Sequence, residues 1–317
     1  MVIMVVTAIA GLLLAALLPL ALIPAASAGC NCGAEERWDP GTFLDQAYGI
    51  QREAASQPAA DRSADYPRGQ ILMSPSNLSA GAALIDASDP ALPGEGGAIS
   101  LPAGLFLQDN RTLRSTEEIG RILGEAGVSR EDPAVVGGQI LGQAAFLVWL
   151  LNYAGQSQVA LLDSATSPGK GERPREPGAA YIPAPRTDLL ASYDYVISGQ
   201  AQLVDARGFQ EYALQGIEGS INIRPEEVAD GGRVKGGADL QSLFSRLNRN
   251  RPVVVYSDHY FRSTPVWYAL QLMGYDARLY AWEDWQAHHM AAAGEQDGSG
   301  NASSSSRFTQ ISRSGRG

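Results

Sequence analysis

The fold is decided by residues 251–285, which read RPVVVYSDHYFRSTPVWYALQLMGYDARLYAWEDW. Residues 253–256 are continuously apolar and β-prone, as expected of a strand that is covered on both faces. A polar loop follows, and apolar residues then recur at helical spacing. Pro265 suits the first turn of this helix, and Gly274 suits its left-handed C-terminal cap, before a second strand begins. The order strand, loop, helix, strand is the repeating unit of a parallel α/β sheet.

The loop of this unit joins the C-terminal end of a strand to the N-terminus of a helix. Backbone N–H groups converge at such a junction, and the positive end of the helix dipole points into it. The sequence therefore predicts an anion-binding site at the loop, which is formed by Ser257, Asp258, His259, Tyr260, Phe261 and Arg262.

Matching pieces of sequence recur roughly 120 residues apart, which is the scale of a domain rather than of a short repeat. Residues 82–87 (AALIDA) resemble residues 201–206 (AQLVDA), and residues 97–101 (GAISL) resemble residues 219–223 (GSINI). In each half of the chain the first piece reads as a strand, and the second piece reads as a further short strand after a turn. The pattern predicts two similar α/β domains in one chain.

Further elements fit this plan. Ser115 and Glu118 form a capping box, which marks the start of a helix. A strongly apolar helix is expected at 142–154, between short strands at 134–136 and 158–163. In the second domain a helix is expected at 239–248. Strands that alternate with helices indicate, in each domain, a central parallel sheet with helices on both faces.

The predicted organisation follows from shifts in composition along the chain of 317 residues. Proline and glycine are concentrated in the middle of the chain, and serine and glycine at its end, as in linkers and tails. The segments are 1–29 (signal peptide or membrane anchor), 30–70 (polar approach with a short helix at 42–54), 71–165 (N-terminal domain), 166–186 (linker), 187–290 (C-terminal domain) and 291–317 (disordered tail).

The first 29 residues are typical of an export segment, because residues 1–23 carry no charge and residues 24–29 are small. Three interpretations remain open: a cleaved signal peptide, an uncleaved anchor, and a lipoprotein signal that ends at Cys30. Each predicts a protein that is secreted or anchored to the outer face of the cell membrane. Cys30 and Cys32 are the only cysteines, so we expect no thiol chemistry in the domains. The net charge of -10 argues against a nucleic-acid partner.

Four pieces of the second domain together resemble the rhodanese family, in the layout of the tandem two-domain thiosulfate sulfurtransferases. They are LVDARGFQEY at 203–212, GIEGSINI at 216–223, VVVYSDHYFRS at 253–263 and LYAWEDW at 279–285. The first domain matches more loosely and is similar to the non-catalytic half of the tandem enzymes. The resemblance implies two rhodanese-like domains and no cofactor.

The chain departs from the family pattern at the loop. The family has a cysteine that carries a persulfide, and the matching position here is Ser257. A persulfide needs a soft thiolate that is ionised near neutral pH, which a hydroxyl cannot replace. Tyr260 stands where the family has a glycine, and Asp258 adds a negative charge. Arg262 and Arg207 are retained, and Arg207 is expected to form a structural ion pair with Asp205.

These departures favour a protein without persulfide-based sulfur transfer, which binds an anion, a sulfur-carrying partner or another protein at the loop. The alternative is an active enzyme of altered chemistry, which would transfer sulfur or hydrolyse an oxyanion ester with Ser257 or Asp258. His259 is a weak candidate base, since residues two apart in a tight loop rarely reach the required geometry. Asp258 and His259 are too few ligands for a metal site. A structural cell-surface protein is a third possibility.

Overall fold

The computed structural model describes residues 61–78, 81–88, 97–166, 168 and 180–289. All of them belong to one compact unit, Gln57–Gly317. The predicted export segment, the helix expected at 42–54, most of the linker and the tail lie outside the described residues. Within the described ranges, none of the helices has the length and apolarity that crossing a bilayer requires.

The first sheet has five parallel strands in the order β1-β5-β4-β2-β3. A capping box of Ser115 and Glu118 begins the first helix, as predicted, with the Glu118 N–H donating to Ser115 Oγ at 3.2 Å. The elements are β1 (Leu72–Met73), β2 (Ala83–Asp86), β3 (Ile99–Ser100), α1 (Thr116–Glu125), β4 (Ala134–Gly137), α2 (Leu141–Tyr153) and β5 (Val159–Leu162).

The second sheet has four parallel strands in the order β11-β10-β6-β7, and a separate antiparallel pair, β8 and β9, lies between β7 and β10 in the sequence. The elements are α3 (Tyr193–Ile197), β6 (Gln202–Asp205), α4 (Phe209–Gln215), β7 (Ile221–Asn222), α5 (Pro225–Val228), β8 (Ala229–Asp230), β9 (Arg233–Val234), α6 (Gly237–Leu243), β10 (Val253–Ser257), α7 (Tyr260–Leu272) and β11 (Ala277–Ala281). Residues 282–289 are helical as well.

The two sheets pair their strands in the same register, which supports the duplication seen in the sequence. In the first sheet Asp86 of β2 lies opposite Gly137 of β4. In the second sheet Asp205 of β6 lies opposite Tyr256 of β10. In both sheets the residue after the aspartate donates its N–H to the carbonyl of that β4 or β10 residue, at 2.9 Å.

One hydrophobic core contains residues of both sheets, and α2 and α7 lie at its centre. Eleven of the thirteen residues of α2 are buried, as expected of a helix that is apolar on every side. The two helices approach closely at Gly142, where a Cβ atom would lie 2.5 Å from the carbonyl oxygen of Phe261. The halves of the chain therefore do not have separate interiors.

The two sheets are covered differently on their outer faces. In the second sheet Val254 and Tyr256 pack with Val196 of α3 and with Trp282. In the first sheet the corresponding cluster contains strand residues such as Val135, and no helix among the described residues contributes to it. Helices on both faces are thus described for the second sheet only.

A buried carboxylate ties three distant parts of the chain together. Asp163, directly after β5, accepts hydrogen bonds from Nε of Arg62 at 2.8 Å and from Nε and Nη2 of Arg233 at 2.9 and 2.7 Å. Arg62 also donates to the carbonyl of Val234 at 3.0 Å. The segment before β1, the end of the first sheet and the β8–β9 hairpin are therefore joined by one charged cluster.

The predicted start of α7 at Pro265 is wrong, since the helix begins at Tyr260 with His259 as its N-cap. Pro265 lies inside the helix and has no N–H for the carbonyl of Phe261, four residues earlier. That carbonyl faces Gly142 of α2 instead. The predicted left-handed cap is confirmed, because Gly274 has a φ of 84°.

Candidate functional site

The loop is shorter than its sequence suggested, because β10 includes Ser257 and α7 begins at Tyr260. Only Asp258 and His259 connect the two elements, so Tyr260, Phe261 and Arg262 are the first turn of a helix. The expected six-residue cradle is therefore a strand end, a two-residue connection and a helix start. Its position at the carboxyl end of the second sheet is as predicted.

Ser257 lies at the base of this junction and is 4% exposed. Its Oγ donates to Oδ1 of Asp258 at 3.0 Å and accepts the N–H of His259 at 3.4 Å. The hydroxyl is thus held by its two neighbours. Asp258 is placed to accept a proton from it, whereas the described contact with His259 uses the backbone and not the ring.

The ring of His259 serves the helix. Its Nδ1 accepts the N–H of Phe261 at 3.1 Å, which satisfies one of the unpaired donors of the first turn. Burial lowers the pKa of His259, and the charge of Arg111 lowers it further, while Asp258 opposes the shift. A neutral ring with Nδ1 as acceptor fits a capping role better than that of a general base for Ser257.

Arg262 lies at the open side of the loop, about half exposed, and meets two carboxylates. Its Nη1 donates to Oε1 and Oε2 of Glu211 at 3.2 and 3.0 Å and to Oδ1 of Asp258 at 3.2 Å. Glu211 also accepts the N–H of Gly208 at 2.9 Å, which fixes it at the start of α4. The retained arginine is therefore paired, and an anion would have to compete with these groups.

A small cavity of about 20 Å³ lies behind the loop, which is room for about one water-sized group. Besides residues of the loop, the cavity is lined by Glu283, which follows β11, and by Arg111 from the first half of the chain. Burial raises the pKa of Glu283, as does the charge of Asp258, while Arg111 lowers it. The lining residues are Arg111, Ser257, Asp258, His259, Tyr260, Ser263, Tyr280, Ala281 and Glu283.

The predicted ion pair of Asp205 and Arg207 is present and buried. Nη2 of Arg207 donates to Oδ2 of Asp205 at 2.7 Å and to the carbonyl of Gln215 at 2.7 Å. The guanidinium lies 3.5 Å from the ring centre of Trp282 and stacks on it. This pair supports the end of the sheet beside the loop and does not line the cavity.

The first half of the chain supports the loop through aromatic contacts. Phe146 of α2 lies 5.5 Å from the ring of Tyr260 and 5.3 Å from the ring of Phe261, between centroids. Trp149 stacks on Tyr260 at 5.3 Å. Because the first turn of α7 packs on α2 in this way, the loop has little freedom to widen.

Sequence reasoning missed three charged residues that surround the loop. Glu211 belongs to a quoted motif but gave no signal that it would meet Arg262. Glu283 also belongs to a quoted motif, whereas Arg111 lies in the first half of the chain, and only the fold brings the two together at the loop. No group of three or more His, Cys, Asp or Glu side chains that could hold a metal ion occurs in the described part of the chain.

A much larger cavity, about 1130 Å³, lies away from this chemistry, on the outer face of the second sheet. It is open and is lined by apolar residues such as Leu203 and Ile217 with Arg246, Trp285 and His289 at its sides. Size alone would favour it, but the motif residues and the buried polar groups are at the loop. We therefore take the loop as the candidate site.

Comparison with known proteins agrees with this fold. The family model of the rhodanese-like domain matches residues 192–288. The chain is 27% identical over 229 residues to a thiosulfate sulfurtransferase of Corynebacterium glutamicum, covering 60% of this chain and 75% of that protein. It is 28% identical over 214 residues to the sulfur carrier protein TtuD of Thermus thermophilus, covering 55% and 75%.

A solved structure shows the same fold over both halves. SseA of Escherichia coli, described as a 3-mercaptopyruvate sulfotransferase with the rhodanese fold, has a TM-score of 0.55 at 20% identity and covers 63% of this chain and 91% of its own. The motifs, the two sheets in equal register and these likenesses agree. Residues 192–288 are therefore a rhodanese-like domain, and the chain as a whole is similar to sulfurtransferases of that family.

Proposed function

We propose that this is an exported rhodanese-like protein that does not transfer sulfur through a persulfide. It instead binds an anion, a sulfur species or a protein partner at the loop from Ser257 to Arg262. The observation that carries the proposal is the serine at the end of β10, where the resemblance places the family's cysteine. Its hydroxyl is already bonded to Asp258 at 3.0 Å.

The described residues contain no cysteine that could take the place of this serine, since the only cysteines of the chain are at positions 30 and 32. Sulfur-on-sulfur attack needs a thiolate, and the pKa of a serine hydroxyl is far too high to supply an equivalent ion. The scaffold around the position nevertheless retains Arg262 and the buried pair of Asp205 and Arg207. These features support a binding role for the loop.

The charges at the loop favour a ligand that competes with surface carboxylates. The pairs of Arg262 with Glu211 and Asp258 are substantially exposed, and such pairs contribute only about 0–1 kcal/mol. An anion can therefore displace them at small cost. The cavity of about 20 Å³ beyond them accepts one atom of such a ligand, not a whole molecule.

The test compares the wild-type protein with Ser257→Cys. We expect no thiosulfate:cyanide sulfurtransferase activity from the wild type. We expect Ser257→Cys to gain the mass of one sulfur atom on incubation with thiosulfate, because the thiolate can attack its outer sulfur and release sulfite while the scaffold beside the loop is kept. Ser198→Cys, an exposed serine of the same half, serves as control and is expected to gain none. Robust activity of the wild-type protein would refute the proposal.

Export is supported by residues 1–29, whose apolar and small residues are those of an export segment. Expression of the full chain in a bacterial host, followed by fractionation and N-terminal mass analysis, tests it. We expect the chain in the exported or membrane fraction. An intact N-terminus on a chain found only in the cytoplasm would contradict export.

A second candidate function rests on the bond between Ser257 Oγ and Asp258 Oδ1. A carboxylate in this position can take the proton of an attacking hydroxyl, as the hydrolysis of an oxyanion ester requires. The test is a panel of phosphate and sulfate esters. Activity that Ser257→Ala abolishes would favour the enzyme, and activity that survives in Ser257→Ala would exclude Ser257 as its nucleophile.

A further inference from the structure

Arg111 is the one described residue other than glycine with a left-handed backbone, at a φ of 66°. The turn around it is well bonded. The Arg111 N–H donates to the carbonyl of Gln108 at 2.8 Å, and Oδ1 of Asn110 accepts from the N–H and Oγ1 of Thr112 at 3.1 and 2.7 Å. Glycine or asparagine adopts this conformation more easily than arginine. The backbone alone gives no reason for an arginine here.

The position of Arg111 gives such a reason, because the residue lines the cavity behind the loop. It comes from the first half of the chain, whereas Ser257, Asp258, His259 and Glu283 come from the second. Burial lowers the pKa of His259 and the charge of Arg111 adds to this, whereas burial raises the pKa of Glu283 and the charge of Arg111 opposes the rise. The arginine thus acts electrostatically on the loop of the other half.

The charge balance of the cavity depends on this residue. Among its lining residues Asp258 and Glu283 are acidic, and Arg111 is the only arginine or lysine. Arg262 lies outside the lining and is shared by Glu211 and Asp258. Without Arg111 the cavity lining would contain two carboxylates and no arginine or lysine.

We propose that Arg111 is a binding residue for an anionic ligand at the loop, and that it makes the site depend on both halves of the chain. The ligand class is a small sulfur or oxygen oxyanion that places one atom in the cavity and leaves the rest outside. This inference rests on the proposed binding function of the loop.

The test measures thiosulfate binding to the full chain by isothermal titration calorimetry, with sulfate as a second probe. Arg111→Asn removes the charge while asparagine tolerates the left-handed backbone. We expect its affinity to fall by about tenfold or more, as for loss of a charged hydrogen-bond donor. We expect its thermal midpoint to be unchanged or raised, since strain is relieved.

Two further variants distinguish the effect of a positive charge at the cavity from the effect of the net charge of the protein. Arg111→Lys is expected to keep most of the affinity, and Arg121→Asn, an exposed arginine of α1 paired with Glu125, is expected to keep all of it. Raising the salt concentration should weaken binding to the wild type more than to Arg111→Asn. A purely structural role of Arg111 would not change this salt dependence.

The outcomes distinguish the two levels of the proposal. If the wild type binds thiosulfate or sulfate and Arg111→Asn binds equally well, the role of Arg111 is refuted and the binding function stands. If the wild type binds neither anion, both the anion-binding form of the function and the role of Arg111 are refuted. A lower thermal midpoint of Arg111→Asn together with full affinity would assign the residue to the turn alone.

Discussion

Replacing Asp163 by asparagine is expected to destabilise the protein by about 3 kcal/mol. The carboxylate is buried and receives two N–H groups from Arg62 and two from Arg233. Asparagine has almost the same shape, but its NH2 group replaces one carboxylate oxygen. This group is a donor and cannot accept the two guanidinium N–H groups that the oxygen accepted. Two of the four hydrogen bonds are lost, together with the negative charge.

The magnitude follows from these bonds and from the exposure of the partners. A hydrogen bond to a charged group contributes roughly 1.5–3 kcal/mol, so two lost bonds correspond to roughly 3–6 kcal/mol. The side chains of Arg62 and Arg233 are 23% and 31% exposed, so water can take up part of what is lost. We therefore expect the lower end of the range, or a fall of roughly 6–12 °C in the midpoint.

Urea denaturation followed by tryptophan fluorescence measures this loss. Asp188→Asn is the control, because its ion pair with Arg186 is exposed and should contribute less than about 1 kcal/mol. A loss below about 1 kcal/mol in Asp163→Asn would show that the cluster does not hold the segments together. Equal losses in the two variants would refute the reasoning from burial.

The same residue predicts a dependence on pH. Burial acts to raise the pKa of Asp163, but its hydrogen bonds and charge interactions with Arg62 and Arg233 outweigh this and hold it below 3.8. As the pH falls below 3.8, the unfolded chain binds a proton that the folded chain does not. The contribution of Asp163 to the free energy of unfolding is therefore fully present above pH 3.8 and is lost as the pH falls through the lower pKa of the folded state. Asp163→Asn should lack this part of the acid sensitivity in the same urea experiments.

Two further substitutions test the packing beside the loop. Gly142→Ala would place a Cβ atom 2.5 Å from the carbonyl oxygen of Phe261, so the two helices must separate. We expect the free energy of unfolding, measured by urea denaturation, to fall by about 1 kcal/mol, because the clash outweighs the gain in helix propensity. Arg207→Lys loses the fork on Asp205 and the stacking on Trp282, so we expect a loss of about 2–3 kcal/mol by the same method. A variant as stable as the wild type would contradict either argument. The control for the first is Gly81→Ala, where no atom lies within 4 Å of the added Cβ.

The strand, helix and strand around the loop were predictable because local pattern and final burial agree there. The continuous apolar run at β10 is buried along its whole length, and the capping box of α1 acts through residues three apart. The repeated Asp-containing strands, β2 and β6, also occupy equivalent positions in the two sheets. Signals of this kind depend on neighbours in the sequence and survive folding unchanged.

The start of α7 and the charges around the loop depend on contacts between distant segments. Pro265 reads as a first-turn residue, yet the carbonyl it leaves unbonded meets Gly142 from another helix. Arg262 was predicted as part of the anion-binding loop, but the sequence did not show that Glu211 of α4 would pair with it at 3.0 Å. Arg111 gave no signal, because its role depends on a left-handed turn in the other half of the chain.

The shared core has a consequence for synthesis on the ribosome. α2 is buried on nearly every side, and one of its main partners, α7, begins about 100 residues later in the chain. At translation rates of roughly 5–20 residues per second, this interval lasts roughly 5–20 s. During that time Phe146 and Trp149 have no α7 to cover them. The nascent first half should therefore need a chaperone, or an early encounter with the translocation machinery if the chain is exported, more than the finished protein does.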